Sequence, residues 1–173
     1  RFRSMLTAQT DQRVLGYLGR ALSLELSAVQ LYTTQGRLVS TWGLAEPAAR
    51  LRGEALEELE HANRIIERML AIGVAPGASQ LRPVRLGNNL VGLLESNLVF
   101  ELELIGLYRD AARHSARSGL HDDRLFFEGL LADEESHHAE LGQWLQELRG
   151  HTGSDVRIPV GNPRSRAIRS RSS

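Results

Sequence analysis

The chain has 173 residues, 42% of them hydrophobic and 24% charged, which is enough for one domain with a sizeable core. It contains no cysteine, so disulfides, thiolate metal sites and cysteine nucleophiles are excluded. Its formal net charge is zero and no apolar run reaches the length of a membrane span, so neither nucleic acid nor a membrane is an expected partner.

Residues 1–9, "RFRSMLTAQ", have basic residues but no apolar signal core behind them, and read as an N-terminal extension. A helical period then runs from about Asp11 to about Trp42, with Thr10 as the expected N-cap. Ala21, Leu22, Glu25, Ala28, Val29 and Tyr32 form its apolar stripe. Gly43 ends it, and Pro47 suits the first turn of a second helix. That helix runs through Leu51, Ala55, Glu58, Ala62, Ile65 and Met69 to Gly73.

The stretch "VAPGASQLRPVRLGNN", with prolines at 76 and 83, is a linker. A third helix carries Leu94, Leu98, Glu101, Leu104, Ile105 and Tyr108 on one face, and Gly119 breaks it. A fourth carries Phe127, Leu130, Leu131, Glu134, His138, Leu141 and Leu145 before Gly150. Residues 150–173 form a basic tail with Arg157, Arg164, Arg166, Arg169 and Arg171, whose composition reads as extended or disordered.

The short breaks at Gly43 and Gly119 imply antiparallel hairpins. Extended, the linker reaches roughly 50 Å. A helix of about 28 residues is roughly 42 Å long, so the linker can run the length of the bundle. The expected fold is all-α: a four-helix bundle over residues 10–149 with one long crossover between helices two and three.

The two halves repeat. "ELSAVQLY" from Glu25 and "ELELIGLY" from Glu101 stand 76 residues apart. At the same offset Gly43-Leu44 falls on Gly119-Leu120, Glu58 on Glu134 and His61 on His137. Each half thus supplies one lone Glu and, 33 residues later, a Glu-x-x-His. Residues at i and i+3 share a helix face, so carboxylate and imidazole can converge. Glu135 and His138 repeat the spacing one residue along but have no counterparts in the first half. Glu135 therefore reads as solvent-facing and His138 as a flanking residue. His114, His121 and His151 lack this context and read as surface residues.

Glu25, Glu58, Glu101 and Glu134 sit on apolar stripes that carry no Lys or Arg. Buried together, such carboxylates cannot all stay ionised without partners. Two divalent cations would balance them, and two imidazoles would complete a mixed oxygen–nitrogen set. That set suits iron or manganese better than calcium or structural zinc. Tyr32 and Tyr108, seven residues beyond Glu25 and Glu101, are placed to support a ligand by hydrogen bonding.

With these phrases, and with "WGL", "EHANRIIERML" and "DEESHH", the chain resembles the bacterioferritins within the ferritin-like di-iron carboxylate proteins, over residues 10–149. The resemblance implies that Glu25 and Glu101 are terminal ligands of two iron ions and that Glu58 and Glu134 bridge them. It gives His61 to the iron held by Glu25, and His137 to the iron held by Glu101. It implies a cytoplasmic ferroxidase that oxidises ferrous iron with O2 or H2O2 and stores ferric mineral. The assembly it implies is a homo-oligomeric or mixed-subunit shell of about 24 subunits.

The chain departs from the pattern twice. Where haem-binding members carry a methionine, one position after Glu58, it has Leu59, and neither Met5 nor Met69 fits that position. Haem is therefore not expected in a homo-oligomer, although Met-bearing partner subunits could supply it. The tail does not read as the short fifth helix of the family, and it could instead dock to another protein. The ligand set also leaves open another di-metal oxidase or peroxidase, a manganese catalase, or a non-catalytic subunit docking through its tail.

Overall fold

The computed structural model describes residues 10–151. The N-terminal extension and the basic tail beyond His151 lie outside the described residues. Four helices follow one another: α1 (Gln12–Thr41), α2 (Ala45–Ala71), α3 (Leu90–Arg117) and α4 (His121–His151). The fourth helix passes through Gly150 and His151, which the sequence assigns to the tail.

Asp11, rather than Thr10, caps α1. Its Oδ1 accepts hydrogen bonds from the backbone N–H groups of Arg13 and Val14, at 2.9 and 3.0 Å. A carboxylate there also faces the positive end of the helix dipole. Asn89 caps α3 in the same manner through Gly92 N, at 2.8 Å.

The first three helices end alike. Gly43, Gly73 and Gly119 take positive φ angles of 78°, 81° and 68°, a region that only glycine enters without penalty. The residue after each glycine donates its N–H to a carbonyl five residues back: Leu44 to Val39, Val74 to Met69 and Leu120 to Ser115. This pairing satisfies carbonyls that the helix end leaves free. At Leu44 and Leu120 the chain re-enters a helix at once, so each hairpin is tight.

Opposite the hairpin partners, α1 pairs with α3 and α2 with α4. Tyr32 meets Glu101, and Tyr108 meets Glu25. Because the α1 number rises as the α3 number falls, these helices are antiparallel. His61 with Glu134 and Arg68 with Asp123 show the same for α2 and α4. The crossover lies along α1 and α3. Backbone N–H groups of Gln80 and Arg82 donate to Ser23 and Ser27 of α1, at 3.0 and 2.9 Å. The Arg82 guanidinium grips Glu103 of α3 through two bonds of 2.6 and 2.7 Å.

The core has two apolar clusters. The larger includes Leu18, Leu22, Ile65, Leu104, Phe127 and Leu130. The smaller includes Val39, Leu51, Leu94, Leu141 and Trp144. Between α1 and α3, Gln35 and Asn97 are both buried and exchange two amide hydrogen bonds, at 2.8 and 2.7 Å. The four stripe glutamates sit fully buried within this apolar surround.

Candidate metal centre

Each donor reaches the bundle axis because its helix places it on the apolar stripe. Glu25, Glu58, Glu101 and Glu134 are each 0% exposed, and His61 and His137 only 4% and 9%. Ligand atoms of Glu58, His61, Glu134 and His137 lie within 4.8 Å of one another. The His61 Nδ1 is 2.9 Å from Glu134 Oε1, 3.2 Å from Glu58 Oε2 and 3.6 Å from Glu25 Oε1. The His137 Nδ1 is 3.4 Å from Glu58 Oε1 and 3.8 Å from Glu134 Oε2. The two rings stack with centroids 5.4 Å apart.

Glu25 and Glu101 flank this set, and a tyrosine from the opposite half holds each. The Tyr108 hydroxyl donates to Glu25, and the Tyr32 hydroxyl donates to Glu101. Both tyrosines are fully buried. Their hydroxyls are held well above the usual phenol range, first by burial and then by the nearby carboxylates, so they remain donors.

The electrostatics are those of too many carboxylates in too little water. Burial lifts Glu25 well above the ordinary carboxylate range, aided by Glu58 and opposed by His61. Burial, with Glu134 and Glu58 beside it, lifts Glu101 to about 10. Burial also acts upward on Glu58 and Glu134, but the imidazoles of His137 and His61 outweigh it and hold both below the usual range. For the imidazoles burial acts downward. Glu134, Glu25 and Glu58 overcome it at His61, which is raised to about 12. Glu134 and Glu58 do the same at His137, which is raised to about 11.

Hydrogen bonding leaves much of this cluster unsatisfied. Glu25 Oε2, Glu58 Oε1, Glu101 Oε2, both oxygens of Glu134 and His137 Nδ1 are buried without a hydrogen-bond partner. The short approach of His61 Nδ1 to Glu134 Oε1 lacks hydrogen-bond alignment. Orphaned buried oxygens normally cost stability. Here they converge from four helices on one region, as ligands for a pair of cations must. The donor set therefore fits a di-metal group.

Two residues outside the sequence-derived set complete the surroundings. The outward Nε2 of His137 lies 2.6 Å from Glu57 Oε2, and that of His61 lies 3.5 Å from Asp133 Oδ2. Glu57 and Asp133 stand one residue before the paired glutamates and are themselves 76 residues apart, so the repeat carried their signal. A carboxylate behind an imidazole fixes which nitrogen faces the metal. Glu54 joins Glu57 and His137 in a second donor group within 4.8 Å. Burial raises Glu54 to about 7, with His137 opposing and Glu57, Glu58 and Glu140 adding to the rise.

The remaining histidines and the flank divide. Glu135 is exposed and pairs with Arg109 at 3.2 Å, while His138 is half-buried. His114 is not a free surface residue: its Nε2 lies 3.0 Å from Asp11 Oδ1, tying α3 to the cap of α1.

A family model described as "Ferritin-like domain" matches residues 15–150. The bacterioferritin of Rhodobacter capsulatus is 38% identical over 127 residues, covering 73% of this chain and 79% of that protein. The bacterioferritin of Brucella melitensis biotype 1 is 33% identical over the same shares of each chain. Among solved structures, Rhodobacter capsulatus bacterioferritin, described with a metal-free dinuclear site and a haem iron, superposes with a TM-score of 0.78. It is 35% identical, over 82% of this chain and 88% of that one. With a ferritin-like bundle, a buried Glu/His centre and these relatives, the chain belongs to the bacterioferritin family.

Proposed function

We propose that the protein is a ferroxidase that also stores iron. The observation that carries this reading is the convergence of six buried donors from four helices, with five of their carboxylate oxygens lacking any hydrogen bond. Glu25, His61, Glu101 and His137 would hold the two ferrous ions, with Glu58 and Glu134 shared between them. The bound pair supplies one-electron chemistry: each ferrous ion gives up one electron, and O2 with two protons leaves as H2O2. When H2O2 is the oxidant, the same two electrons and two protons convert it to water.

The chain's own groups support that exchange. Four carboxylates favour the ferric product over the ferrous reactant, because anionic ligands stabilise the higher charge. Tyr32 and Tyr108 hold Glu101 and Glu25 in place, and the apolar surround excludes bulk water. Metal entry must displace the protons that His61 and His137 hold.

Among the described residues no methionine is placed to ligate haem. Leu59 has no donor atom, and Met69 lies buried in the core. Exposed Leu56, Leu59, Val99 and Leu102 on the outer faces of α2 and α3 are apolar surface of the kind that subunits cover in an assembly. We place the protein in a cytoplasmic shell of about 24 subunits; no helix among the described residues is long and apolar enough to cross a membrane.

The test is aerobic addition of ferrous iron, followed by the near-ultraviolet absorbance of the ferric product. Oxidation no faster than in a protein-free control would end the ferroxidase reading. Comparing O2 with H2O2, and measuring the metal content of native protein, separates it from a peroxidase or a manganese enzyme.

A further inference from the structure

We infer that Arg64 makes the two halves of the metal centre unequal, by drawing Asp133 away from His61, so that the His137 side binds a divalent cation more tightly and fills first. This rests on the di-metal reading above and adds an order to it.

The inference starts from a break in the repeat. Positions 57 and 133 are both acidic and both stand behind an imidazole, but Arg64 corresponds to Glu140. Asp133 Oδ2 lies 2.7 Å from Arg64 Nη1 and only 3.5 Å from His61 Nε2. In the other half, Glu57 Oε2 lies 2.6 Å from His137 Nε2. One backing carboxylate is committed to its imidazole, and the other is shared with a guanidinium.

The guanidinium is well seated. A Cβ on Gly129 would come within 3.3 Å of Arg64 Nη2, so the glycine leaves the room that this side chain uses on α4. Gly129 and Asp133 are one helical turn apart, and Arg64 spans them.

Two effects follow, with the same sign. A carboxylate bonded to the outer nitrogen of a ligating imidazole makes the inner nitrogen a better donor. Sharing Asp133 weakens that help at His61. Charge acts in parallel: Arg64 places a cation beside the His61 side, while Glu54, Glu57 and Glu140 gather near His137. As a half-exposed ion pair, Arg64–Asp133 contributes little to stability. Its effect is on the imidazole it competes for, which makes Arg64 a positioning residue.

The experiment is titration of the full chain with Co(II), read by calorimetry and by the visible absorption of bound cobalt. Wild type is expected to take two Co(II) per chain in two separable steps. Arg64→Gln releases Asp133 to His61 and tightens the weaker step about tenfold. Arg64→Lys keeps the charge and stays near wild type. Glu140→Arg puts the competing cation in the other half and weakens the tighter step. Because Arg64→Gln predicts a gain in affinity, damage to the fold cannot imitate it. If that variant loses its helical circular dichroism, Glu140→Arg carries the test, and an unchanged tighter step overturns the inference. Two cobalt steps in wild type that Arg64→Gln leaves unmoved also overturn it, while the metal centre stands. Wild type that binds no cobalt overturns both.

Discussion

Tyr108, on α3, donates its hydroxyl to Glu25, on α1, 83 positions earlier in the chain. The tyrosine that follows Glu25 on its own helix, Tyr32, serves Glu101 instead. Each of these two carboxylates is therefore aimed by the opposite half. Tyr108→Phe should weaken divalent-metal binding by about tenfold and slow iron oxidation, because Glu25 keeps its place but loses its orienting bond. Glu58→Ala or Glu134→Ala should slow oxidation further, since on the proposed assignment each would remove a ligand shared by both metals. Stopped-flow absorbance on the three variants ranks them, and a Tyr108→Phe rate as low as that of Glu58→Ala would contradict this order.

Metal loading should release protons. Without metal, His61 is held at about 12 and His137 at about 11, so both are protonated at neutral pH. Ligation needs the neutral imidazole. Addition of Zn(II) in weak buffer should acidify the solution by at least the two imidazole protons per chain. Apparent affinity should fall as pH falls, because protons compete for the same nitrogens. A pH-sensitive dye or a pH-stat reads both effects.

The metal-free protein should show the opposite trend on the alkaline side. Glu101 is raised from 4.5 to about 10, so its contribution is present below 4.5 and is lost as pH rises through 10. His61, raised from 6.5 to about 12, contributes below 6.5 and loses that contribution as pH rises through 12. Glu58 and Glu134 are depressed from 4.5, so theirs is present above 4.5 and is lost in acid. The thermal midpoint of chelated protein should thus be highest near pH 4.5, where Glu58 and Glu134 are ionised and Glu101 and His61 still hold their protons, and decline toward alkaline pH. Bound metal removes those protons, so the midpoint of loaded protein should rise from pH 5 to about 7. Calorimetry with and without chelator compares the two profiles.

The Gln35–Asn97 pair offers a test that does not touch the metal. Gln35→Ala leaves the buried Asn97 amide without partners and should cost about 1–3 kcal/mol. Replacing both residues by leucine removes the unmet polar groups together and should cost less than the single change. Thermal unfolding of the chelated proteins measures the difference.

Leu59 gives a gain-of-function test. Leu59→Met supplies a thioether one position after Glu58, on the face that Leu59 leaves 40% exposed. Refolding with haem should produce a Soret band in the variant and none in the parent chain. A Soret band of equal strength in the parent would show that haem binds it by another ligand.

Much of the fold and centre was legible because the repeat held polar residues in register as well as apolar ones. One apolar helix looks like another, but Glu25, Glu58 and His61 recurring as Glu101, Glu134 and His137 selects one inward face from many. The same register also separated His137 from His138. What escaped was set by rotamers and by neighbouring helices. Period and spacing say that Tyr32 faces inward, yet not that it crosses to Glu101. Glu57 and Asp133 lie on exposed or half-buried positions, where an acid on a charged helix is ordinarily solvated. Asp11 takes the cap in place of Thr10, and its carboxylate also meets His114, a contact 103 residues away in sequence that spacing does not show. Gly150 marks the composition change but not the last helical turn, since a single glycine weakens a helix without ending it.

The crossed tyrosines bear on which partner each hairpin accepts. Two copies of the first hairpin, related by a two-fold axis, would bring together Glu25, Glu58 and His61 twice, and Tyr32 of each copy would reach Glu25 of its mate. A symmetric pair of such hairpins would thus present the same kinds of donor and the same hydroxyl supports as the single chain does. The halves differ where Gln35 meets Asn97, which stands where a second Ala21 would fall, and where Glu140 stands in place of a second Arg64. Those differences favour each hairpin's union with the other half over union with its own kind.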